Sequence, residues 1–355
     1  MNQRIELKIG NVMDKLREIP DNSVDCICTS PPYYGLRKYK APEVWWDTDT
    51  QYGHSPTEPN NYCECGAWLG QLGREPDYRM YLNHMLKVTA ELKRVLKPTG
   101  TLWWNMADSY AGSGNGFGGE GDPKLPEGRT GSIEPRKTDI PSKSLMQLPT
   151  RLSIRMADGQ GWILRNTMIW YKRNHMPSSV KDRLTNGYEY VFFFTKQKRY
   201  FFNLDAVRVP VKFPEDVARR MHQDKQANVN PFNKGTDAAR HTKQDLAYNR
   251  TGTYSDQLHI KPLNPLGKNP GDVLELTTTP FKGAHFAVFP PKLPEFCIKA
   301  GCPDGGVVLD PFAGSGTTMQ VARLLGSQNQ GHPRRATSMS DEYALFLKLY
   351  RRRRF

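Results

Sequence analysis

The chain has 355 residues, carries 50 Lys+Arg against 36 Asp+Glu for a formal charge of +14, and is 37% hydrophobic and 11% aromatic. That content is too apolar for a wholly disordered chain, and no window approaches the roughly 18 consecutive apolar residues of a membrane span, so a membrane location is not expected; the length suits one large domain or a core with an insertion. The positive excess points to a polyanionic partner, most simply nucleic acid. The opening residues MNQRIELKIGN lack the charged-then-apolar layout of a signal peptide, which makes a cytoplasmic location the expectation.

Residues 4–11, RIELKIGN, alternate polar and apolar side chains and predict a strand; 12–19 predict a short helix with Leu16 and Ile19 on one face. After the turn chemistry of Pro20-Asp21-Asn22-Ser23 comes a continuous apolar run, SVDCICTS at 23–30, as in a parallel strand buried on both faces. Pro31-Pro32 ends it, because proline cannot donate to a ladder. Cys26 and Cys28 lie in this run and are expected as small core side chains. Cys63 and Cys65 stand in YCECGAW, with His54 upstream. Six cysteines in a chain of this length do not make a disulfide framework, and three loosely spaced candidates fall short of a four-ligand zinc pattern, so free thiols and no metal are expected. Residues 78–97 carry apolar side chains at helical spacing, Pro98-Thr99-Gly100 stops that helix, and TLWWNMAD at 101–108 predicts the next strand. This alternation predicts an α/β fold with a parallel, doubly wound sheet.

Residues 109–143 are Gly-rich and polar and predict a flexible loop; a lid over a ligand and plain disorder both fit it. A helix is expected at 145–158, then strands at 162–172 and 188–196, rich in β-branched and aromatic residues. From 196 to 268 periodicity gives way to Asn, Gln and Pro with a local charge of +7; residues 323–355 add +6, and the remainder is almost neutral. Order resumes at 273, and GVVLDPF at 306–312 predicts a buried strand that feeds a Gly-rich turn and a helix. The expected division is 1–195, an insertion at 196–270, and 271–355.

Two short segments carry the chemistry. Thr29-Ser30-Pro31-Pro32-Tyr33-Tyr34 follows one buried strand, and Asp310-Pro311-Phe312-Ala313-Gly314-Ser315-Gly316-Thr317-Thr318 follows another. Both positions are those where open α/β sheets place ligands. In the second, two glycines allow close backbone approach, and the following helix start offers N–H groups to an anion. The Lys of a nucleotide-hydrolysing P-loop is absent, as is the third Gly of a dinucleotide fingerprint. What remains suits a ligand with one carboxylate and a flat adenine, although a lone G-x-G also fits a plain turn. In the first segment two prolines hold the chain extended, so that the Ser30 hydroxyl and Pro31 carbonyl form a rigid pair of acceptors beside the ring of Tyr33. Acceptors beside a stacking ring can hold a nucleobase by its exocyclic amino group and free the nitrogen lone pair for attack on a methyl donor, by positioning and electrostatics.

Together these segments resemble the amino-group DNA methyltransferases that use S-adenosylmethionine. In that family Ser/Asp/Asn-Pro-Pro-Tyr/Phe is the catalytic motif and Asp-Pro-Phe-x-Gly-Ser-Gly-Thr-Thr binds the cofactor. The order of the two motifs is similar to the permuted class called beta. The resemblance covers most of the chain, including LKRVLKPTGTL at 92–102, IWYK at 169–172, EYVFFFTK at 189–196 and HFAVFP at 285–290. It implies a Rossmann-like, mostly parallel, seven-stranded sheet with a target-recognition region at 196–270. It also implies that Ser30, Pro31, Pro32 and Tyr33 form the catalytic loop, with Tyr33 stacked on a flipped base. Asn11, Thr29, His285, Phe289, Pro290, Asp310, Phe312, Ala313, Gly314, Ser315, Gly316, Thr317 and Thr318 would border S-adenosylmethionine. The implied partner is double-stranded DNA, whose base is extruded at a cost of a few kcal/mol; a homodimer and a cognate restriction enzyme are further partners of the class. A solvated insertion is the competing reading of 196–268.

Two departures qualify the resemblance. Gly10-Asn11 stands where relatives carry Gly-Asp, and Ser338 stands near the position of an acidic residue that binds ribose hydroxyls, with Asp341 and Glu342 as substitutes. Weaker cofactor binding is the expected consequence, and a DNA-binding protein with a decayed cofactor site is the competing reading; an RNA acceptor is a third. Arg351–Arg354 are expected as a solvated basic tail. Ser at the first catalytic position favours cytosine-N4 over adenine-N6 in this family.

Overall fold

A computed structural model describes residues 5–35, 41–48, 53–56, 61–112, 138–211, 264–278, 289–326 and 346–351. Along the chain the described elements are β1 (Ile5–Ile9), α1 (Val12–Arg17), β2 (Val24–Thr29), β3 (Val44–Trp46), β4 (Trp68–Gly70), α2 (Tyr78–Val95), β5 (Leu96–Met106), α3 (Leu148–Gln160), β6 (Ile163–Tyr171), β7 (Tyr188–Thr195), β8 (Val273–Glu275), α4 (Lys292–Gly301), β9 (Val307–Asp310), α5 (Thr317–Gly326) and β10 (Phe346–Arg351). The elements expected before residue 200 fall within a few residues of these bounds.

One sheet has the order β1-β10-β9-β2-β5-β7-β6-β8, and β3 and β4 form a separate hairpin. The pairings set β1, β9, β2, β5, β6 and β8 in one direction and β7 and β10 in the other. The sheet is therefore mostly parallel, but it has eight strands rather than the seven expected. The extra strand is β8, whose three residues show no period of their own; it forms because β6 offers an open edge, to which Asp272 is also zipped by the Ile169 N–H (2.8 Å). The second correction concerns Arg351. It lies in the ladder of β10 opposite Val307, between β9 and β1, and not in a solvated tail. Ser338, Asp341, Glu342 and Arg352–Arg354 lie outside the described residues.

Side-chain alternation feeds two cores. In β2, Ile27 packs into one and Cys26 and Cys28 into the other, and β5 divides Leu102 and Trp104 from Trp103 in the same way. Phe192 and Phe194 of β7 join the first core, with α1, α2 and α3; Val191 and Phe193 join the second, with α4 and α5. Helices thus cover both faces, which is why β2 is buried at all six positions and reads as an unbroken apolar run. Trp103 lies flat on Phe193 with centroids 4.1 Å apart. Asp77 caps α2 by accepting from the Arg79 N–H, and Gly161 ends α3 in the left-handed region at φ 64°.

The chain divides into two compact units, one of residues 1–207 and 271–355 and one of Arg208–Pro270. Lys196–Val207 belong to the first, where Phe201 N–H donates to Thr99 O and Asn203 N–H to Ala300 O. In the second, the described part is an antiparallel bridge between Val209 and Lys268. Among the described residues no helix is long and apolar enough to cross a membrane.

Candidate active site

The C-terminal ends of β2, β5, β6 and β9 open onto one edge of the sheet, as parallel strands must. Pairing of Cys26 with Val308 and Ile27 with Leu309 sets β2 directly beside β9. Ser30-Pro31-Pro32-Tyr33 and the Gly-rich turn therefore leave neighbouring strands at the same edge, although 280 residues separate Ser30 from Asp310.

Asp310 locks the two together. It is 1% exposed; its Oδ1 accepts from the Thr29 hydroxyl (2.6 Å) and the Phe312 N–H (3.1 Å), and its Oδ2 accepts from the Thr318 hydroxyl (2.7 Å). Thr29, Asp310 and Thr318, expected as cofactor contacts, thus form the buried clamp beneath the turn. Gly314 (φ 47°) and Gly316 (φ 81°) occupy the left-handed region, which a side chain would strain. Gly316 N–H closes the turn on Ala313 O (2.7 Å), and α5 begins at Thr317 with Ser315 Oγ 3.1 Å from its hydroxyl. Phe312 is buried edge-on to Trp104.

The Ser30–Tyr33 loop is held from several sides. Pro31 and Pro32 are buried, and the Tyr81 hydroxyl donates to Pro32 O (2.9 Å). Gly35 N–H donates to Gly73 O (2.9 Å), and a Cβ on Gly73 would stand 3.0 Å from Tyr33 O. Gly73 N–H in turn donates to Glu75, whose other oxygen lies 2.9 Å from His84 Nδ1; His84 Nε2 is 3.0 Å from Asp47, and the ring stacks on Trp46. Glu75 and His84 are both fully buried. His84→Ala is therefore expected to cost about 3 kcal/mol of stability, because it strands a buried carboxyl; urea unfolding measures it, and a loss below about 1 kcal/mol would remove this network from the account of the loop.

The hydroxyls of the loop form a relay. Ser30 O–H donates to the Tyr33 oxygen (3.0 Å), and Tyr33 O–H donates to Glu189 Oε2 (2.8 Å), with Asn105 Oδ1 3.3 Å from the same oxygen. Glu189 pairs with Lys172, and the Asn105 amide donates to Tyr190 O (3.0 Å). Burial, and then the charge of Glu189, push the Tyr33 phenol well above its ordinary range, so it remains a donor. With its proton turned to Tyr33, the Ser30 oxygen presents lone pairs. The expectation gave Tyr33 a stacking ring; its hydroxyl also fixes Ser30. Glu189, Asn105 and Lys172 were not singled out from the sequence. The one available signal is an acid at the start of an otherwise apolar strand.

Other expected residues lie apart from this centre. Asn11 follows β1 and caps α1, its Oδ1 accepting from the Met13 N–H (2.7 Å), so the expected cofactor contact competes with a cap. Phe289 and Pro290 are buried at the entry to α4, and Phe289 packs in the second core. His285 lies outside the described residues.

Two connections frame the same edge. Ala111 exchanges backbone bonds with Lys143 and Ser144, and Ser109 O accepts from the Met146 N–H, so the Gly-rich loop leaves through a closed neck; residues 113–137 lie outside the described residues. The β6–β7 connection, 172–187, exposes Met176 (83%) and Leu184 (90%) among Arg173, Lys181 and Arg183.

A family profile described as DNA methylase, that of the N6/N4 methyltransferases, matches residues 24–339. The chain belongs to this N6/N4 DNA methylase family. Type II methyltransferase M.SfiI of Streptomyces fimbriatus is 29% identical, with 92% of this chain and 87% of that protein covered. Type II methyltransferase M.XycI of Xanthomonas campestris pv. cyanopsidis is 32% identical, with 88% and 78% covered. Among solved structures, a PvuII DNA methyltransferase described as cytosine-N4-specific superposes with a TM-score of 0.49 at 17% identity, covering 89% of this chain and 77% of that one. As a DNA methylase the chain acts on DNA, with S-adenosylmethionine as the methyl donor. The Gly-rich turn fits that group, since two left-handed glycines leave a ligand no Cβ to meet and the first-turn N–H groups of α5, which have no partner within the helix, suit its carboxylate.

Proposed function

We propose that this DNA methylase transfers a methyl group to the exocyclic N4 of cytosine, flipped from duplex DNA into the space beside Ser30. The observation that carries this reading is the hydrogen-bond chain from Ser30 through Tyr33 to Glu189, which makes a neutral hydroxyl oxygen a fixed acceptor at the sheet edge. S-adenosylmethionine, when bound, supplies an electrophilic methyl group. Ser30 Oγ and the Pro31 carbonyl accept from the amino N–H groups and draw the nitrogen toward a tetrahedral shape; Tyr33 covers the ring; Phe312, Ala313, Gly314, Ser315, Gly316 and Thr317 border the donor, over the clamp of Thr29, Asp310 and Thr318. The insertion reads the target, with Arg, Lys, Asn and Gln as its readers. The Type II names of the relatives support a role in restriction–modification, beside a cognate endonuclease.

Mass spectrometry of nucleosides from DNA treated with the protein and S-adenosylmethionine tests the reading. N4-methyl-2′-deoxycytidine is the expected product; N6-methyl-2′-deoxyadenosine would assign the other branch of the family, and no methylated nucleoside would remove the catalytic claim.

The exposed apolar pair lies in the 172–187 connection, which leaves the same end of the sheet as Ser30. An apolar side chain there can fill the stack a flipped base leaves. Leu184→Asp is expected to lower transfer to duplex DNA about tenfold, the loss of one apolar wedge, and to leave single-stranded DNA nearly unaffected. Equal loss on both substrates would refute the wedge.

A further inference from the structure

The connection between β3 and β4 gathers three donors that the site at the sheet edge does not use. His54 comes from its first limb and Cys63 and Cys65 from its second. His54 Nδ1 is 3.4 Å from Cys63 Sγ and 3.3 Å from Cys65 Sγ, and the three atoms lie within 4.8 Å of one another. Zinc–sulfur bonds of about 2.3 Å and zinc–nitrogen bonds of about 2.0 Å at a tetrahedral angle put such N and S atoms roughly 3.6 Å apart, close to what is seen.

The surroundings fit the same chemistry. His54 Nε2 is 2.8 Å from the Thr48 hydroxyl, the outer contact that orients a ligating imidazole. The Cys63 N–H donates to Ala67 O (2.7 Å) and the Gly66 N–H to Cys63 O (2.8 Å), a tight turn that brings both sulfurs toward His54. Gly66 takes the left-handed φ of 90° that this turn needs. The Trp45 ring lies 5.2 Å from that of His54.

We propose that His54, Cys63 and Cys65 bind one zinc ion, which staples the two limbs of the β3–β4 connection and completes its tetrahedron with water. Two thiolates and an imidazole are soft and borderline donors, which select zinc over magnesium or calcium. The C-x-C spacing alone favours free thiols; it is His54, brought in from the opposite limb, that turns a weak pattern into a ligand set. The staple lies in the hairpin whose continuation, Gly73, braces the catalytic loop. Binding releases protons from the thiols and involves no redox step.

The test uses the full chain, expressed with zinc and purified without chelator. Elemental analysis is expected to find about one zinc per chain, falling below about a tenth in His54→Ala and Cys65→Ser. Because those variants could misfold, the wild-type chain is also stripped and titrated with cobalt(II). A thiolate-to-cobalt charge-transfer band with d–d bands of tetrahedral intensity, displaced by zinc, is the expected result. No charge-transfer band, wild-type zinc below a tenth per chain, or a mass lighter by two hydrogens from a Cys63–Cys65 disulfide would each overturn the proposal.

Discussion

Ser30→Ala is expected to slow methyl transfer by two to three orders of magnitude, about the loss seen when one preorganised hydrogen-bonding group is removed from a developing charge. In the proposed reaction Ser30 Oγ is the acceptor for the amino nitrogen, and it is oriented from behind by Tyr33 and Glu189. The substitution removes one partly buried hydrogen bond, so unfolding free energy should fall by only about 1 kcal/mol. Single-turnover kinetics with labelled S-adenosylmethionine, beside urea unfolding, separates the two quantities. Tyr33→Phe keeps the ring and cuts the relay, and is expected to cost about tenfold, the worth of one neutral hydrogen bond. A Ser30→Ala protein that turns over at the wild-type rate would move catalysis away from this loop.

The other large effect belongs to Asp310. Asp310→Ala removes the acceptor of three hydrogen bonds, two of them from hydroxyls that are fully buried. Stranding those donors is expected to cost about 3 kcal/mol of stability. The clamp also sets the turn against the catalytic loop, so S-adenosylmethionine binding is expected to weaken at least about a hundredfold, a loss of about 2.7 kcal/mol. Asp310→Asn keeps one acceptor and the same volume and should lose much less. Calorimetry of cofactor binding, beside thermal unfolding, would contradict the clamp if Asp310→Ala bound and melted as wild type does.

The two effects differ in where their causes could be read. Much of the local structure around the two motifs was legible in the chain itself. An apolar run stopped by Pro31-Pro32 must be a buried strand that ends sharply, because proline cannot continue a ladder. Asp310-Pro311-Phe312 running into two glycines reads as a strand, a turn and a helix start, because glycine takes the left-handed φ found at 314 and 316 without steric cost. Helix α2 was legible for a like reason, since its apolar face repeats at helical spacing and Pro98 stands just past its end.

What long-range packing decided was not legible. Whether β2 lies beside β9 depends on which strand buries which face, and no pattern within either strand encodes its neighbour. The reversal of β10 between β1 and β9, the three-residue strand β8 and the separate β3–β4 hairpin follow from pairing in space and not from periodicity. The partners with the largest expected consequences, Glu189 behind Tyr33 and His54 beside Cys63 and Cys65, meet only after the chain folds back on itself. Residue type and spacing thus determined the chemistry available at Ser30 and at the Gly-rich turn. Only the tertiary structure decided which charges and hydroxyls stand behind them, because hydrogen-bond reach is a few ångströms in space and is blind to separation along the chain.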